Sequence, residues 1–185
     1  MPALDAVFHP GSVAFIGGRY LRGPLRYHRD LGFAGRTHVV ARGHGEIAGF
    51  PCLPRIEDLP EAPDLAFLAT PREATVEAVA ALAALGCRAA ILHAGGFAET
   101  GAEGAALQAA VRAAAGEMMI LGPNAGGVVN FLEPMAAIMD HFGVTRPERG
   151  VAIVSQGGGF LCDAVFADRS LPVTHLIGCG NQLGV

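Results

Sequence analysis

Lysine is missing from this chain: all thirteen basic residues among its 185 are arginine. That excludes Schiff-base catalysis by a lysine amine, and a Walker-type phosphate lysine, within these residues. Tryptophan is absent too, and aromatic residues make up only 6%. With a formal charge of −4 and no basic tract, the chain lacks the electrostatic footprint of a nucleic-acid binder. No apolar run approaches the roughly 20 residues that cross a bilayer. The opening "MPALDAVFHPGSVAFIG" has neither the charged start nor the long apolar core of a secretory signal. A cytoplasmic location with no membrane partner is the resulting expectation. The four cysteines (Cys52, Cys87, Cys162 and Cys179) form no C-x-x-C pair and read as small buried apolar residues in a reducing compartment. The seven histidines are equally dispersed, so no metal site is expected.

What is present is an alternation of short β-type runs with longer helical ones, the pattern of a doubly wound parallel α/β sheet. "SVAFIG" ends in glycine and reads as a central strand, followed by a short helix opened by Gly23-Pro24. "RTHVVAR", "DLAFLAT", "CRAAILHAGG" and "EMMILGPN" read as further strands. Between them lie two alanine-rich helices, "REATVEAVAALAALG" and "TGAEGAALQAAVRAAAG", the first stopped by Gly86. From Phe131 to Gly150 the periodicity lapses and two prolines intervene, which reads as a connecting stretch. "VAIVSQ", "FLCDAVFADRS" and "VTHLIGCG" then make one βαβ unit. About 35 residues cannot close a core alone. The unit either joins the first sheet or belongs to something longer, and truncation is the favoured expectation. Its apolar face also makes a homo-oligomer an expectation.

Ligands of doubly wound sheets bind beyond the carboxyl ends of the strands, and there the small residues of this chain accumulate. Gly17, Gly18 and Arg19 follow the first strand; the spacing is not G-x-G-x-x-G, but the glycines admit a phosphate to backbone N–H groups. Arg22, Arg26 and Arg29 crowd the same turn and helix. The second strand ends Val40-Ala41-Arg42, without the early acid that a nicotinamide dinucleotide's ribose requires. Arginine there suits a phosphorylated ribose, which NADP and coenzyme A both carry. Thr70 and Pro71, then Gly95 and Gly96, stand at the ends of the third and fourth strands, and Asn124 beyond the fifth. "VSQGGGF" places Ser155 and Gly157 before a helix as a second anion cradle, and it is not the G-x-S-x-G of a hydrolase.

In order, "LDAVFHPGSVAFIG", "GFAG", "DLAFLATP", "GGFAETGAEGAAL", "LGPNAGGVVN", "GVAIVSQGGG" and "GCGN" resemble the NDP-forming acyl-CoA synthetases, relatives of the succinyl-CoA synthetase alpha subunit. The resemblance implies a Rossmann-like CoA-binding domain over residues 1–132. A linker over 133–149 would lead to the start of a truncated flavodoxin-like ligase domain at 150–185. It implies an acid–thiol ligase working through acyl phosphate and phosphohistidine, with CoA or acyl-CoA as ligand. The ATP-grasp region and the histidine would lie outside these residues, so no catalytic residue is expected within them. Gly17, Gly18 and Arg19 would lie at the pyrophosphate and Val40, Ala41 and Arg42 at the adenosine end. Thr70, Pro71, Gly95 and Gly96 would line the cofactor's path, with Asn124 near the thioester. Ser155 and Gly157 would open the phosphate-holding helix.

Five departures from the family's motifs are visible. The first loop is shorter, Val40-Ala41-Arg42 replaces V-N-P, and Ala125 replaces the cysteine of G-P-N-C. Gly157-Gly158 follows Ser155-Gln156 where S-Q-S-G is usual, and Gly184 stands for the acid of the late G-N-x-x-D-V. Each removes a side chain that could touch ligand, so a divergent member with altered substrate or weakened catalysis is expected. A non-catalytic CoA sensor and an NADP-binding oxidoreductase or redox sensor are the alternative readings.

Overall fold

The computed structural model describes residues 2–145, 147–167 and 171–183; the change at Gly184 lies outside them. After a short helix α1 (Pro2–Phe8), strand β1 (Ser12–Ile16) is buried along its whole length. A single 3-10 turn, Arg19–Leu21, leads into α2 (Arg22–Leu31), which ends on Gly32 in the left-handed conformation. Strand β2 (Arg36–Val40) follows. Next comes the hairpin β3 (Glu46–Ile47) and β4 (Phe50–Leu53), turned by Ala48 and Gly49, both at positive φ. Strand β5 (Leu65–Leu68), helix α3 (Arg72–Leu85), strand β6 (Ala89–Leu92), helix α4 (Ala102–Ala115) and strand β7 (Met119–Leu121) complete the first sheet. Its order is β3-β4-β2-β1-β5-β6-β7. All pairings are parallel except that of β3 with β4.

The fully apolar strands explain this architecture. β1, β5 and β6 are buried on both faces, as central parallel strands covered by helices on either side must be. Val79, Leu82 and Val111 of α3 and α4 close one face, and Leu21 and Leu25 with α1's Ala6 and Val7 close the other. Because the chain runs outward from β1 through β2 and β4, then returns to place β5 on β1's other side, the order reverses between β1 and β5.

The stretch 133–149 is not all loop. Strands β8 (Gly127–Asn130) and β9 (Met135–Ile138) form a hairpin; β8 also pairs antiparallel with β11 (Val173–Gly178), and β11 pairs parallel with β10 (Val151–Ser155). The late βαβ unit, with helix α5 (Gly158–Ala167), therefore joins a second sheet of order β10-β11-β8-β9, not the first one. β9 escapes a reading by periodicity because Met-Ala-Ala-Ile is buried throughout and shows no alternation. Asn130 locks the hairpin turn: its Oδ1 accepts from the Leu132 and Glu133 N–H groups, and its Nδ2 donates to the Phe8 carbonyl. The two sheets share packing through α2, whose Tyr27 and Leu31 lie buried with Phe131, Ala136 and Ile138.

One helix position reverses the usual rule. An added Cβ at Gly104 in α4 would stand 1.9 Å from the Phe97 carbonyl oxygen. Glycine to alanine in a helix normally stabilises by about 1 kcal/mol. Here overpacking of about 1–3 kcal/mol outweighs that gain, so Gly104→Ala is expected to lower the urea midpoint. An unchanged or higher midpoint would contradict the packing described.

Candidate functional site

At the carboxyl edge of the first sheet, where the strand order reverses, lies an open cleft of about 1010 Å³. Four strand ends build it: Ile16 to Tyr20 after β1, Val40 and Arg42 after β2, Pro54 to Glu57 after β4, and Ala69 to Pro71 after β5. Helix α3 adds a wall of Ala74, Ala78 and Ala81, with Glu77 on the same side. Their spacing of four and three residues places the alanines on one helix face. The volume matches the upper end of ordinary ligand sites.

Gly17 is required by close approach. Its N–H donates to the Val40 carbonyl at 3.0 Å, and a Cβ would stand 2.8 Å from the Ala69 oxygen. Beside it Gly18 faces open space, with nothing within 4 Å of where its Cβ would be. Helix α2 has no side-chain cap and follows the 3-10 turn directly: the Leu21 N–H donates to the Gly18 carbonyl and the Arg22 N–H to that of Arg19, so the turn itself faces that end. Arg19 carries no carboxylate partner among the described residues; its guanidinium lies over the Tyr20 ring, 5.2 Å from the centroid, and donates to the Tyr20 hydroxyl at 3.3 Å. That hydrogen bond and the neighbouring charge raise the Arg19 pKa and lower that of Tyr20.

Arg42 is exposed, and its guanidinium has no hydrogen-bond or ion-pair partner among the described residues. Arg55 differs: Asp58 holds it by two bonds of 2.8 and 3.2 Å, which depresses the Asp58 carboxyl. Ala41 does not line the cleft; it is buried and bonds through its N–H to the Leu53 carbonyl. Thr70 and Pro71 enter α3, with the Thr75 hydroxyl donating to the Pro71 carbonyl at 3.2 Å.

Gly95, Gly96 and Asn124 are not among the cleft's lining residues and form a second locus beyond β6 and β7. The Gly96 N–H donates to Glu99 Oε1 at 2.6 Å, and Arg72 donates to the Gly96 carbonyl at 2.9 Å. Asn124, at φ 57, follows the cis Gly122-Pro123 bond and donates from its backbone to Ala94. A Cβ on Gly95 would stand 3.1 Å from the Asn124 Oδ1, so these two predicted residues are neighbours.

The second sheet is fastened onto this locus. Asn181 donates from its backbone to the Pro123 carbonyl at 2.8 Å and from its Nδ2 to Glu99 and Gln108. Gly180 in turn donates to the Gln156 carbonyl. The Ser155 hydroxyl donates to the Gly157 carbonyl at 2.9 Å, and Gly157, Gly158 and Gly159 face open space at the start of α5. The structure thus gathers the nominated residues into a cleft group (Gly17, Gly18, Arg19, Val40, Arg42, Thr70 and Pro71) and a linked pair of loops.

Ala125 changes meaning. It is 1% exposed, donates to the Leu92 carbonyl and accepts from His93 Nδ1, so its methyl belongs to the core. A larger side chain at this place would be buried as well.

The sequence reading missed Tyr20 and the Pro54–Glu57 wall. α3 read only as an alanine-rich helix, without its cleft-facing side; β4 escaped because Pro51 interrupts a four-residue strand.

Residues 10–130 match a family model described as a CoA binding domain. The chain belongs to the CoA-binding-domain family. It is 31% identical over 97% of its length to a trans-feruloyl-CoA synthase from an unknown prokaryotic organism, covering 27% of that protein. It is also 29% identical to an ADP-forming acetate–CoA ligase of Archaeoglobus fulgidus, over 100% of this chain and 29% of the relative. Among solved structures, the dinucleotide forming acetyl-coenzyme A synthetase 1 of Ca. Korarchaeum cryptofilum, in complex with phosphate and ADP, superposes with a TM-score of 0.91. That likeness covers 100% of this chain and 41% of the other at 22% identity, and it speaks to the fold. The chain thus spans under a third of the length of these two curated relatives. Among the described residues no helix is long and apolar enough to cross a membrane, and no His/Cys/Asp/Glu group could hold a metal ion.

Proposed function

We propose that this chain is the CoA-binding portion of an NDP-forming acyl-CoA synthetase, an acid–thiol ligase. In this reading the first sheet holds CoA. The second sheet, with β8 and β9, begins the ligase lobe and offers Ser155 and Gly157 to phosphate. A phosphorylated histidine and an ATP-grasp region, as domain or subunit, are supplied from outside these residues, in a cytoplasmic setting. The observation that carries the reading is a reversal-point cleft holding two arginines, Arg19 and Arg42, free of carboxylate partners among the described residues. A diphosphate fits over Gly18, and a ribose phosphate fits Arg42. The residues present therefore suit CoA, whose thiol end would run past Thr70 and Pro71 towards Gly95, Gly96 and Asn124.

The buried position of Ala125 removes one reason for preferring a non-catalytic sensor, since a thiol in its place would lie in the core. Calorimetric titration with CoA, NADPH and NADH tests the proposal. Binding of CoA is expected; binding of NADPH alone would overturn it. The purified chain is expected to show no acyl-CoA synthesis by itself, and measurable turnover would refute that part.

A further inference from the structure

Tyr20 is 65% exposed at the mouth of the cleft, an unusual place for one of only two tyrosines. Its hydroxyl accepts one hydrogen bond from Arg19, and the guanidinium lies over its ring. Arg19 thereby spends one of five N–H donors and keeps four. The tyrosine hydroxyl, having accepted, still has its own O–H to donate. Beside the pair stands the open backbone of Gly18, at the start of the 3-10 turn that leads into α2.

We propose that Tyr20 is a positioning residue that holds the Arg19 guanidinium as a preformed clamp for the diphosphate of a nucleotide-type ligand. The physical gain is preorganisation. A free arginine loses rotamer freedom when it grips a phosphate, and ordering a long side chain costs about 0.5–1.5 kcal/mol. Stacking on the adjacent ring removes part of that loss before binding. Gly18 supplies the other half of the clamp through its backbone, since any side chain there would enter the space the phosphate needs. The short loop after β1 thus replaces a longer glycine-rich turn with one aromatic-braced cation.

The inference deepens the CoA reading yet rests only on the diphosphate that CoA and NADP share. Calorimetric titration with CoA and with NADPH is therefore run on the wild type, Tyr20→Phe, Tyr20→Ala, Arg19→Ala and both double variants. Tyr20→Ala is expected to weaken binding about fivefold and Tyr20→Phe about twofold. In the Arg19→Ala background Tyr20→Ala should shift affinity less than about twofold and Tyr20→Phe not measurably, because a positioning role has nothing left to position. Independent, multiplicative losses with CoA would overturn the clamp and leave the CoA reading standing. Coupled losses with NADPH and no CoA binding would keep the clamp and overturn the CoA reading. No binding of either ligand would overturn both. A second measurement uses the absence of tryptophan: in Tyr27→Phe, Tyr20 is the remaining tyrosine, and its emission, corrected for ligand absorbance, is expected to change on saturation. Unchanged emission at saturation would count against the clamp.

Discussion

Between pH 7.5 and 4.5 the wild-type chain is expected to lose about 2–3 kcal/mol more unfolding free energy than the variant His28→Gln. His28 is 1% exposed on α2 and wedged between the two sheets. Its Nδ1 donates to the Ala136 carbonyl at 2.7 Å, and the Thr37 hydroxyl donates to Nε2 at 3.2 Å. The rings of Phe15 and Phe33 enclose it at 5.0 and 4.6 Å, and burial pushes its pKa down to about 4. The unfolded chain, with histidine near 6.5, therefore binds the extra proton first as pH falls. Stability drains away from about pH 6.5 and levels off once the folded imidazole protonates near pH 4. Glutamine keeps a donor for Ala136 but cannot titrate. Urea unfolding at both pH values decides the matter, and parallel pH profiles for the two proteins would refute it. Protonation leaves the Nδ1 bond to Ala136 in place and even favours it; the loss comes from putting the charge into the apolar surroundings of the ring.

His28 also shows what the sequence conceals. Strands β1, β2, β5, β6 and β7 of the first sheet were legible because each is a short apolar run with glycine or proline within three residues of its end; β3 and β4 were not. Helix α3 was legible because Pro71 opens it and Gly86 stops it, and α4 because Gly101 and Gly116 bound it. The edge of the cleft was legible through Gly17, Thr70-Pro71 and Arg42, all of which stand at strand ends. Neither the hairpin of β8 and β9 nor the docking of its sheet on α2 could be read in this way. Those depend on Asn130 reaching Phe8, on His28 reaching Ala136 and on Asn181 reaching Pro123, contacts more than 50 residues apart that leave no local pattern. The same limit explains Ala125. In sequence it sits inside a ligand-type loop, yet Asn124 lies at positive φ while Ala125 is buried in the core. Asn124 therefore remains the polar candidate of that loop.

Arg42→Ala is expected to weaken CoA binding about tenfold, or about 1.4 kcal/mol, while leaving the affinity for dephospho-CoA unchanged within about twofold. The argument turns on which cleft arginine has a free charge. Arg55 lines the same space, but Asp58 engages two of its nitrogens, so an incoming phosphate would compete with a carboxylate already in place. Arg42 meets no such competitor among the described residues and follows directly on β2, whose end carries ribose recognition in doubly wound sheets. A charged hydrogen bond contributes about 1.5–3 kcal/mol when sheltered; exposure of Arg42 to solvent and salt brings the expectation to the lower end. Arg42→Lys should recover only part of the loss, because an ammonium cannot present the paired donors that a phosphate accepts. Calorimetry with CoA and dephospho-CoA on the three proteins gives the cycle directly. If both ligands weaken equally, Arg42 acts through general charge and the ribose phosphate lies elsewhere; if neither weakens, the adenosine end does not reach β2.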